Sequence, residues 1–230
     1  MDLKDKMVLV FGAGKSGISA TKLLKRIGAR VILYDGNNKI DISTLEDKFE
    51  KENKPEIYIG LFPNEKLEQI SLMILSPGIA IDHPFVLEVE AKGIPIWGEI
   101  ELGYRYSKGR IIGITGTNGK TTTTSLVGDI LKSYYKQVFV VGNIGDPYTD
   151  IALDTTDESV TIIEISSFQL ETIHEFCPDI SAILNITPDH LNRHHTMDNY
   201  IKLKKNIAVN QDMSKLCILN YEDAHTRKIG

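Results

Sequence analysis

A glycine-rich segment in the middle of the chain carries residues that could bind phosphate. Residues 113–121 read Gly-Ile-Thr-Gly-Thr-Asn-Gly-Lys-Thr and follow the apolar pair Ile111-Ile112. Glycines let backbone N–H groups approach a phosphate closely. The Lys120 amine would add positive charge near the β and γ phosphates, and Thr121 has the hydroxyl that such loops offer to Mg²⁺. Because Ile114 occupies the first glycine position of the G-x-x-x-x-G-K-[ST] pattern, we predict a variant phosphate-binding loop rather than a plain glycine turn with a solvated lysine.

Other polar residues follow predicted strands of the same half of the chain. Glu164 lies near the end of the apolar run 160–165, Asn143 follows the strand predicted at 137–141, and His190 follows the run 180–186. A carboxylate on a buried strand needs a partner, and Mg²⁺ is the usual one in phosphate-loop enzymes. The plainer alternatives are a surface glutamate just beyond the sheet and a structural histidine.

The helix predicted from about Asn199 to Val209 contains three lysines, of which one is unusual. At about 100° per residue, Lys204 falls inside the apolar arc of the helix, whereas Lys202 and Lys205 fall outside it or at its edge. A buried lysine is costly unless its amine is partnered, neutral or modified. On periodicity alone, a lysine whose stem packs while its amine reaches water is the favoured interpretation.

The first half of the chain has its own glycine fingerprint. The buried strand predicted at 7–11 leads into Gly12-Ala13-Gly14-Lys15-Ser16-Gly17, a G-x-G-x-x-G turn, and the next predicted strand ends at Asp35. This order of strand, glycines, helix, strand and acid indicates a nucleotide or sugar-nucleotide site. A turn kept only for packing is the alternative. Ser76-Pro77-Gly78, after the strand predicted at 72–75, lies where open α/β sheets place ligands.

These patterns predict two α/β domains. Residues 1–106 are expected to form a Rossmann-like domain, and residues 107–230 a P-loop NTPase-like domain with a mostly parallel sheet. The boundary follows the helix predicted at 98–106, because Ser107-Lys108-Gly109 is a polar break. Further strands are predicted at 56–60, 110–115 and 215–219. A helix is predicted to follow the phosphate loop over about 122–133, another is predicted to start at residues 166–171, and a polar tail ends the chain.

Composition excludes several classes of protein. The 230 residues carry a net charge of −5, which argues against broad nucleic-acid binding. No apolar run is long enough for a transmembrane helix, and the charged N-terminus does not resemble a signal peptide. Two cysteines are too few for a disulfide framework. We therefore expect a cytoplasmic protein that binds neither nucleic acid nor membrane.

The motifs together resemble those of the Mur ligases, and most closely the branch that adds D-glutamate. The resemblance is carried by residues 116–122 (Gly-Thr-Asn-Gly-Lys-Thr-Thr), 142–145 (Gly-Asn-Ile-Gly), 164–171 (Glu-Ile-Ser-Ser-Phe-Gln-Leu-Glu) and Asp189-His190 with Arg193. The N-terminal glycines with Asp35, and residues 76–80, fit the same branch. One departure is Asn192, where the family often has aspartate.

The resemblance implies roles for individual residues. The phosphates of ATP would be bound by Gly116, Thr117, Asn118, Gly119, Lys120, Thr121, Thr122 and Thr123. One Mg²⁺ would be held by Thr121 and Glu164, and a second by His190 and a carbamate on Lys204. The UDP-linked substrate would contact Lys15, Ser16, Asp35, Gly36, Ser76, Gly78, Asn143, Gln169 and His190. The catalytic set would be Lys120, Glu164, His190 and Lys204.

The resemblance also implies an activity. It is ATP-dependent amide formation, in which D-glutamate is added to UDP-N-acetylmuramoyl-L-alanine through an acyl phosphate, during cytoplasmic peptidoglycan precursor synthesis. The family has three domains, and the chain resembles the first two, so we expect a monomeric fragment that binds ligands without measurable turnover. A dinucleotide oxidoreductase would leave Glu164, His190 and Lys204 without a role. A folylpolyglutamate synthase would share the phosphate loop, but the Rossmann-like first domain argues against it.

Overall fold

The computed structural model describes residues 1–230, which divide into two compact units, Met1–Leu102 and Gly103–Gly230. The sequence predicted a boundary after Tyr106, whereas this division falls within the helix Glu99–Tyr106. None of the helices combines the length and the apolar content that a membrane span requires.

The first unit is built on a five-stranded parallel sheet in the order β3-β2-β1-β4-β5. Its elements are β1 (Met7–Phe11), α1 (Lys15–Arg26), β2 (Arg30–Asp35), α2 (Ile42–Glu46), β3 (Glu56–Ile59), β4 (Leu72–Leu75), α3 (Pro84–Ala91), β5 (Ile96–Gly98) and the start of α4 (Glu99–Tyr106), with 3-10 helices at Lys51–Asn53 and Asn64–Gln69. The chain leaves β1 for β2 on one side and returns to β4 on the other. Ligands of open α/β sheets bind at such a reversal.

The second unit has a second five-stranded parallel sheet in the order β10-β9-β6-β8-β7. Its elements are β6 (Arg110–Thr115), α5 (Lys120–Lys132), β7 (Val138–Gly142), α6 (Tyr148–Ile151), β8 (Val160–Glu164), β9 (Ile180–Ile183), α7 (Leu191–His194), α8 (Met197–Lys205), β10 (Leu216–Leu219) and α9 (Ala224–Ile229), with 3-10 helices at Ala152–Asp154, Gln169–Thr172 and Asn206–Ala208. β6 lies at the centre, so the loop after it has β8 on one side and β9 on the other. The predicted α/β fold class is confirmed, and both sheets are parallel throughout.

The structure corrects three local predictions. The segment after β8 forms only the short 3-10 helix Gln169–Thr172, because Ser166 folds back on the Gln169 side chain instead of starting an α-helix. The predicted polar tail contains α9, which Asp223 caps by accepting hydrogen bonds from the backbone of His225 and Thr226. β5 escaped prediction because three residues are too few to show a period.

The glycine fingerprint of the first unit is shaped by close packing at one position. A Cβ on Gly17, in the first turn of α1, would lie 1.8 Å from the carbonyl oxygen of Gly12. Gly14, at the N-cap of α1, has nothing within 4 Å of the place its Cβ would take, and its φ of −75° suits any residue. The third glycine is therefore required by the packing of the helix on the strand, as this fingerprint demands.

We expect Gly17→Ala to destabilise the first unit by about 3 kcal/mol, because backbone must move to admit the methyl group. Gly14→Ala, the matched control, is expected to change stability by less than about 1 kcal/mol. Urea unfolding followed by fluorescence of Trp97, the single tryptophan, which lies in β5, measures both. Equal midpoints for the two variants would contradict the packing role of Gly17.

Candidate functional site

The phosphate loop joins the end of β6 to the start of α5. Gly119, the N-cap of α5, has φ of +79°, a left-handed conformation that favours glycine. No side chain caps this end of the helix, and its first turn contains no acidic residue. Thr122 and Thr123 lie in that first turn. The free N–H groups and the positive end of a 13-residue helix therefore face the loop, which is an arrangement that binds anions.

The loop is fastened to the end of the neighbouring strand β9. The side-chain oxygen of Asn185 accepts a hydrogen bond from the Asn118 N–H at 2.8 Å, and its amide donates to the Asn118 carbonyl at 3.0 Å. The Thr117 N–H donates to the Asn185 carbonyl at 2.9 Å, and the Thr117 hydroxyl donates to the Thr187 carbonyl at 3.1 Å. The sequence analysis did not identify Asn185, although a polar side chain near the end of the apolar run 180–186 was a usable signal.

Two lysine amines converge on one carbonyl oxygen of the loop. The Lys204 amine donates to Gly116 O at 2.8 Å, and the Lys120 amine donates to the same atom at 3.0 Å and to Thr117 O at 2.9 Å. Lys204 is 1% exposed, whereas Lys202 and Lys205 are exposed. The helical angle therefore separated the three lysines correctly, and the alternative of an amine reaching water is wrong.

The surroundings of Lys204 favour its neutral form. Burial and, to a smaller extent, the nearby Lys120 charge lower the pKa of Lys204, Asp189 acts in the opposite direction, and the result is a fall from 10.5 to about 7. The amine also lies 4.6 Å from the centre of the Tyr200 ring, a contact that favours the charged form and acts against these effects. At neutral pH a substantial fraction of this amine is unprotonated and able to react as a nucleophile.

Glu164 ends β8 on the other side of the loop. One carboxylate oxygen accepts a hydrogen bond from the Thr121 hydroxyl at 2.8 Å, and the other accepts one from the Asn143 amide at 2.8 Å. The residue is 1% exposed, and both of these partners are neutral. A buried carboxylate beside a phosphate loop suits a cation. Since no three His, Cys, Asp or Glu side chains cluster in a metal-binding arrangement, Mg²⁺ here would also need phosphate oxygens and water, as Mg²⁺ commonly does.

Two predicted residues do not reach this centre through a direct contact. The Gln169 side chain accepts hydrogen bonds from the backbone and hydroxyl of Ser166 at 2.9 and 3.0 Å. The His190 side chain is half exposed, lies 3.4 Å from a carboxylate oxygen of Asp189, and packs against Phe168 with ring centres 4.9 Å apart. Hydrogen bonds thus connect the two lysines with Gly116 and Thr117, and Glu164 with Thr121 and Asn143. Gln169 and His190 lie in adjacent segments.

In the first unit, the predicted residues surround the end of β1. An Asp35 oxygen accepts the Ala13 N–H of the glycine turn at 2.8 Å, and the Ser76 hydroxyl donates to the Gly12 carbonyl at 3.1 Å. These side chains therefore shape the turn. The other predicted positions here, namely Lys15, Ser16, Gly36 and Gly78, are exposed or partly exposed. α1 has no side-chain cap and no acid in its first turn, so its N-terminus can also receive an anion.

Comparison with known proteins identifies the family of this chain. Residues 114–229 match the Mur ligase middle domain, and residues 6–98 match the MurD-like N-terminal domain of Mur ligases. The chain belongs to the Mur ligase family. The glycine motifs at residues 12–17 and 116–122 of this Mur ligase chain lie within the matched ranges.

Relatives of this Mur ligase chain carry one name. A UDP-N-acetylmuramoylalanine--D-glutamate ligase of Lachnospira eligens is 57% identical over 98% of the chain, and one of Lachnoclostridium phytofermentans is 55% identical over all of it. The alignments cover 50% and 51% of those proteins, so the chain spans about half the length of the relatives it matches. A murein peptide ligase structure from Psychrobacter arcticus shares the fold, with a TM-score of 0.60 and 16% identity over 97% of this chain and 51% of its own.

The lowered pKa of Lys204 predicts a pH-dependent stability. The unfolded state binds a proton more tightly than the folded state between about pH 7 and pH 10.5. The free energy of unfolding of the wild type should therefore rise with pH in this window, relative to Lys204→Met, by up to about 4 kcal/mol. Urea unfolding followed by circular dichroism in CO₂-free buffer measures the difference. Lys202→Met, which changes an exposed lysine of the same helix, should track the wild type. A constant difference between wild type and Lys204→Met across the window would show that the folded protein leaves this pKa unshifted.

Proposed function

We propose that this chain is the substrate- and ATP-binding part of a Mur ligase that adds D-glutamate to UDP-N-acetylmuramoyl-L-alanine in cytoplasmic peptidoglycan precursor synthesis. The observation that carries the proposal is the centre around the phosphate loop, where two lysine amines share Gly116 O and a buried Glu164 bonds the Thr121 hydroxyl. The names of the relatives supply the substrate.

ATP is the nucleotide that this centre suits. Thr117, Asn118 and Thr123 already donate their backbone N–H groups within the fold, so the N–H groups at the start of α5 are the ones available to its phosphates. The Lys120 amine, which bonds Gly116 O and Thr117 O, would move its hydrogen bonds to phosphate oxygens. Thr121 and Glu164 would hold one Mg²⁺, which neutralises charge on the phosphates. The chemistry requires little more than positioning and charge stabilisation.

Lys204 is proposed to carry a carbamate. Its neutral amine attacks the carbon of CO₂, a C–N bond forms, a proton is released, and a lysine-bound anion results. That anion, with His190, would supply ligands for a second Mg²⁺. The lowered pKa and the adjacent Lys120 ammonium both support the reaction, because the first provides free amine and the second stabilises the negative product.

The reaction itself follows from the chemistry of carboxylates. A carboxylate is a poor electrophile, so its oxygen attacks the γ-phosphorus of ATP to give an acyl phosphate and ADP. The amine of D-glutamate then attacks the acyl carbon, and the tetrahedral intermediate expels phosphate as the amide forms. Lys120 stabilises the negative charge of the phosphoryl group during transfer.

The first unit is proposed to bind the UDP moiety. The N-terminus of α1 can receive its phosphates, Lys15 and Ser16 lie in the first turn of that helix, and Gly14 and Gly78 have open space where a Cβ would be. Asp35, which already shapes the glycine turn, lies at the sheet edge where such folds bind nucleotides.

Calorimetric titration of the chain with UDP-N-acetylmuramoyl-L-alanine tests the first-unit site. We expect saturable binding, no matching signal from NAD, and about tenfold weaker binding for Lys15→Ala, since a charge-assisted contact to phosphate is lost. Lys22→Ala removes an exposed lysine from the same helix two turns on and is the matched control. Binding by NAD, or equal losses in the two variants, would refute this assignment.

Ligation is tested with the chain joined to the remaining half of the Lachnospira eligens relative. We expect Lys120→Ala to abolish turnover and Lys204→Ala to lose activity that added short-chain carboxylic acids partly restore, because a free carboxylate can replace the carbamate. Lys202→Ala should keep wild-type activity. Near-normal turnover by Lys120→Ala would refute the phosphate-loop assignment, and a lack of acid rescue would count against the carbamate.

A second candidate is a module that binds the UDP-sugar and ATP without turnover. It is supported by the presence of an uncapped helix N-terminus in each unit, at α1 and at α5, because each of them can receive phosphate groups. Binding by the 230-residue chain, with turnover only in the joined protein, would support it for this chain.

A further inference from the structure

A buried histidine that has no part in the proposed chemistry lies beside the phosphate-loop centre. His194, the last residue of α7, is 1% exposed. Its backbone is fixed at both ends, since its N–H donates to the His190 carbonyl at 3.0 Å and its carbonyl accepts from the Asn199 amide at 3.0 Å. A polar ring held so firmly in the interior needs a structural or functional reason.

The ring of His194 contacts two segments of the site. Its Nε2 atom lies 2.9 Å from the Ser167 hydroxyl, in the segment that also carries Gln169. The ring stacks on Tyr200, with centres 5.2 Å apart and planes at 26°, and lies 5.1 Å from Phe168. Tyr200 in turn contacts the phosphate loop, because its hydroxyl lies 3.2 Å from that of Thr117.

The surroundings of this ring determine which of its two nitrogens carries the proton. Because the ring is buried, the neutral form of the imidazole is favoured over the charged one. Nδ1 has no hydrogen-bond partner but lies 3.5 Å from a carboxylate oxygen of Glu171, whose other oxygen accepts from Arg193 at 2.6 Å. A proton on Nδ1 faces the carboxylate favourably, whereas a lone pair there would repel it. Nε2 is then an acceptor, and the Ser167 hydroxyl donates to it.

We propose that His194 is a positioning residue of the ligation site, which in its Nδ1-protonated form holds the Ser167 hydroxyl and the Tyr200 ring and thereby fixes the segment 166–171 relative to the phosphate loop and Lys204. This inference rests on the proposed function. His194 and Ser167 would act by positioning other residues of the site, and neither would contact the reacting atoms. Tyr200 is the connecting element, because its ring contacts both His194 and the Lys204 amine.

Three variants separate the two contacts of the ring in the joined protein. His194→Phe keeps a ring for Tyr200 and removes the acceptor, Ser167→Ala removes the donor, and His194→Gln keeps an acceptor near the position of Nε2. We expect His194→Phe and Ser167→Ala each to lower kcat about tenfold with KM for ATP and the UDP-sugar unchanged, and the double variant to be no worse than either. His194→Gln should recover to within about threefold of wild type, because the hydrogen bond is kept.

A purely structural role predicts a different pattern. Melting temperatures would fall while kcat of the folded protein stayed at the wild-type value, or the losses of the two single variants would multiply in the double variant. Either result would overturn the proposal. Absence of ligation by the wild type would instead count against the proposed function.

A second measurement tests the proposed role of His194 without an activity assay. Long-range ¹H–¹⁵N correlation spectra of the ¹⁵N-labelled 230-residue chain at pH 7 report which ring nitrogen carries the proton. Comparison with His194→Phe assigns the His194 signals among the six histidines. We expect protonation on Nδ1 alone. Protonation on Nε2, or a ring that exchanges between the two forms, would overturn the proposed hydrogen bond from Ser167.

Discussion

The carbonyl oxygen of Gly116 is the atom on which the second unit depends. It accepts hydrogen bonds from Lys120, which starts the helix after the loop, and from Lys204, which comes from a helix far along the chain. Two ammonium groups so close repel each other, and burial penalises the charge of Lys204 further. The structure therefore favours a neutral form of Lys204. The fold makes this possible by bringing α8 against the loop.

The order of the strands explains why the remaining polar groups meet there. β6 is central, with β8 on one side and β9 on the other. In a parallel sheet the carboxyl ends of all strands lie at one edge, so Glu164 of β8 and Asn185 beyond β9 flank the phosphate loop from opposite sides. Glu164 bonds the Thr121 hydroxyl, and Asn185 fixes the Asn118 backbone. A sheet in which β6 was an edge strand would leave one of these two supports without a position.

The sequence was informative wherever one residue had to satisfy a strong local constraint. The glycine turns, the apolar strands and the buried face of α8 were predictable because clashes, periodicity and the cost of a buried charge act within a few residues. Residues whose role depends on partners far away in the sequence were not predictable. His194 is an unremarkable polar residue in sequence, and only the packing of Phe168 and Tyr200 around it shows that it is buried. β5 was missed because three residues are too few to show a period. The helix predicted after β8 is only a short 3-10 helix, because Ser166 bonds the Gln169 side chain.

The neutral ring and the neutral amine in this site arise from one physical cause and have opposite chemical consequences. Burial disfavours the protonated form of His194 and of Lys204 alike. For lysine, loss of the proton exposes a nucleophilic lone pair, so the amine becomes reactive. For histidine, it leaves one donor and one acceptor, so the ring becomes a rigid connector with a defined direction. Burial around Tyr200 therefore leaves a nucleophilic amine on Lys204 and a directional hydrogen-bonding ring on His194.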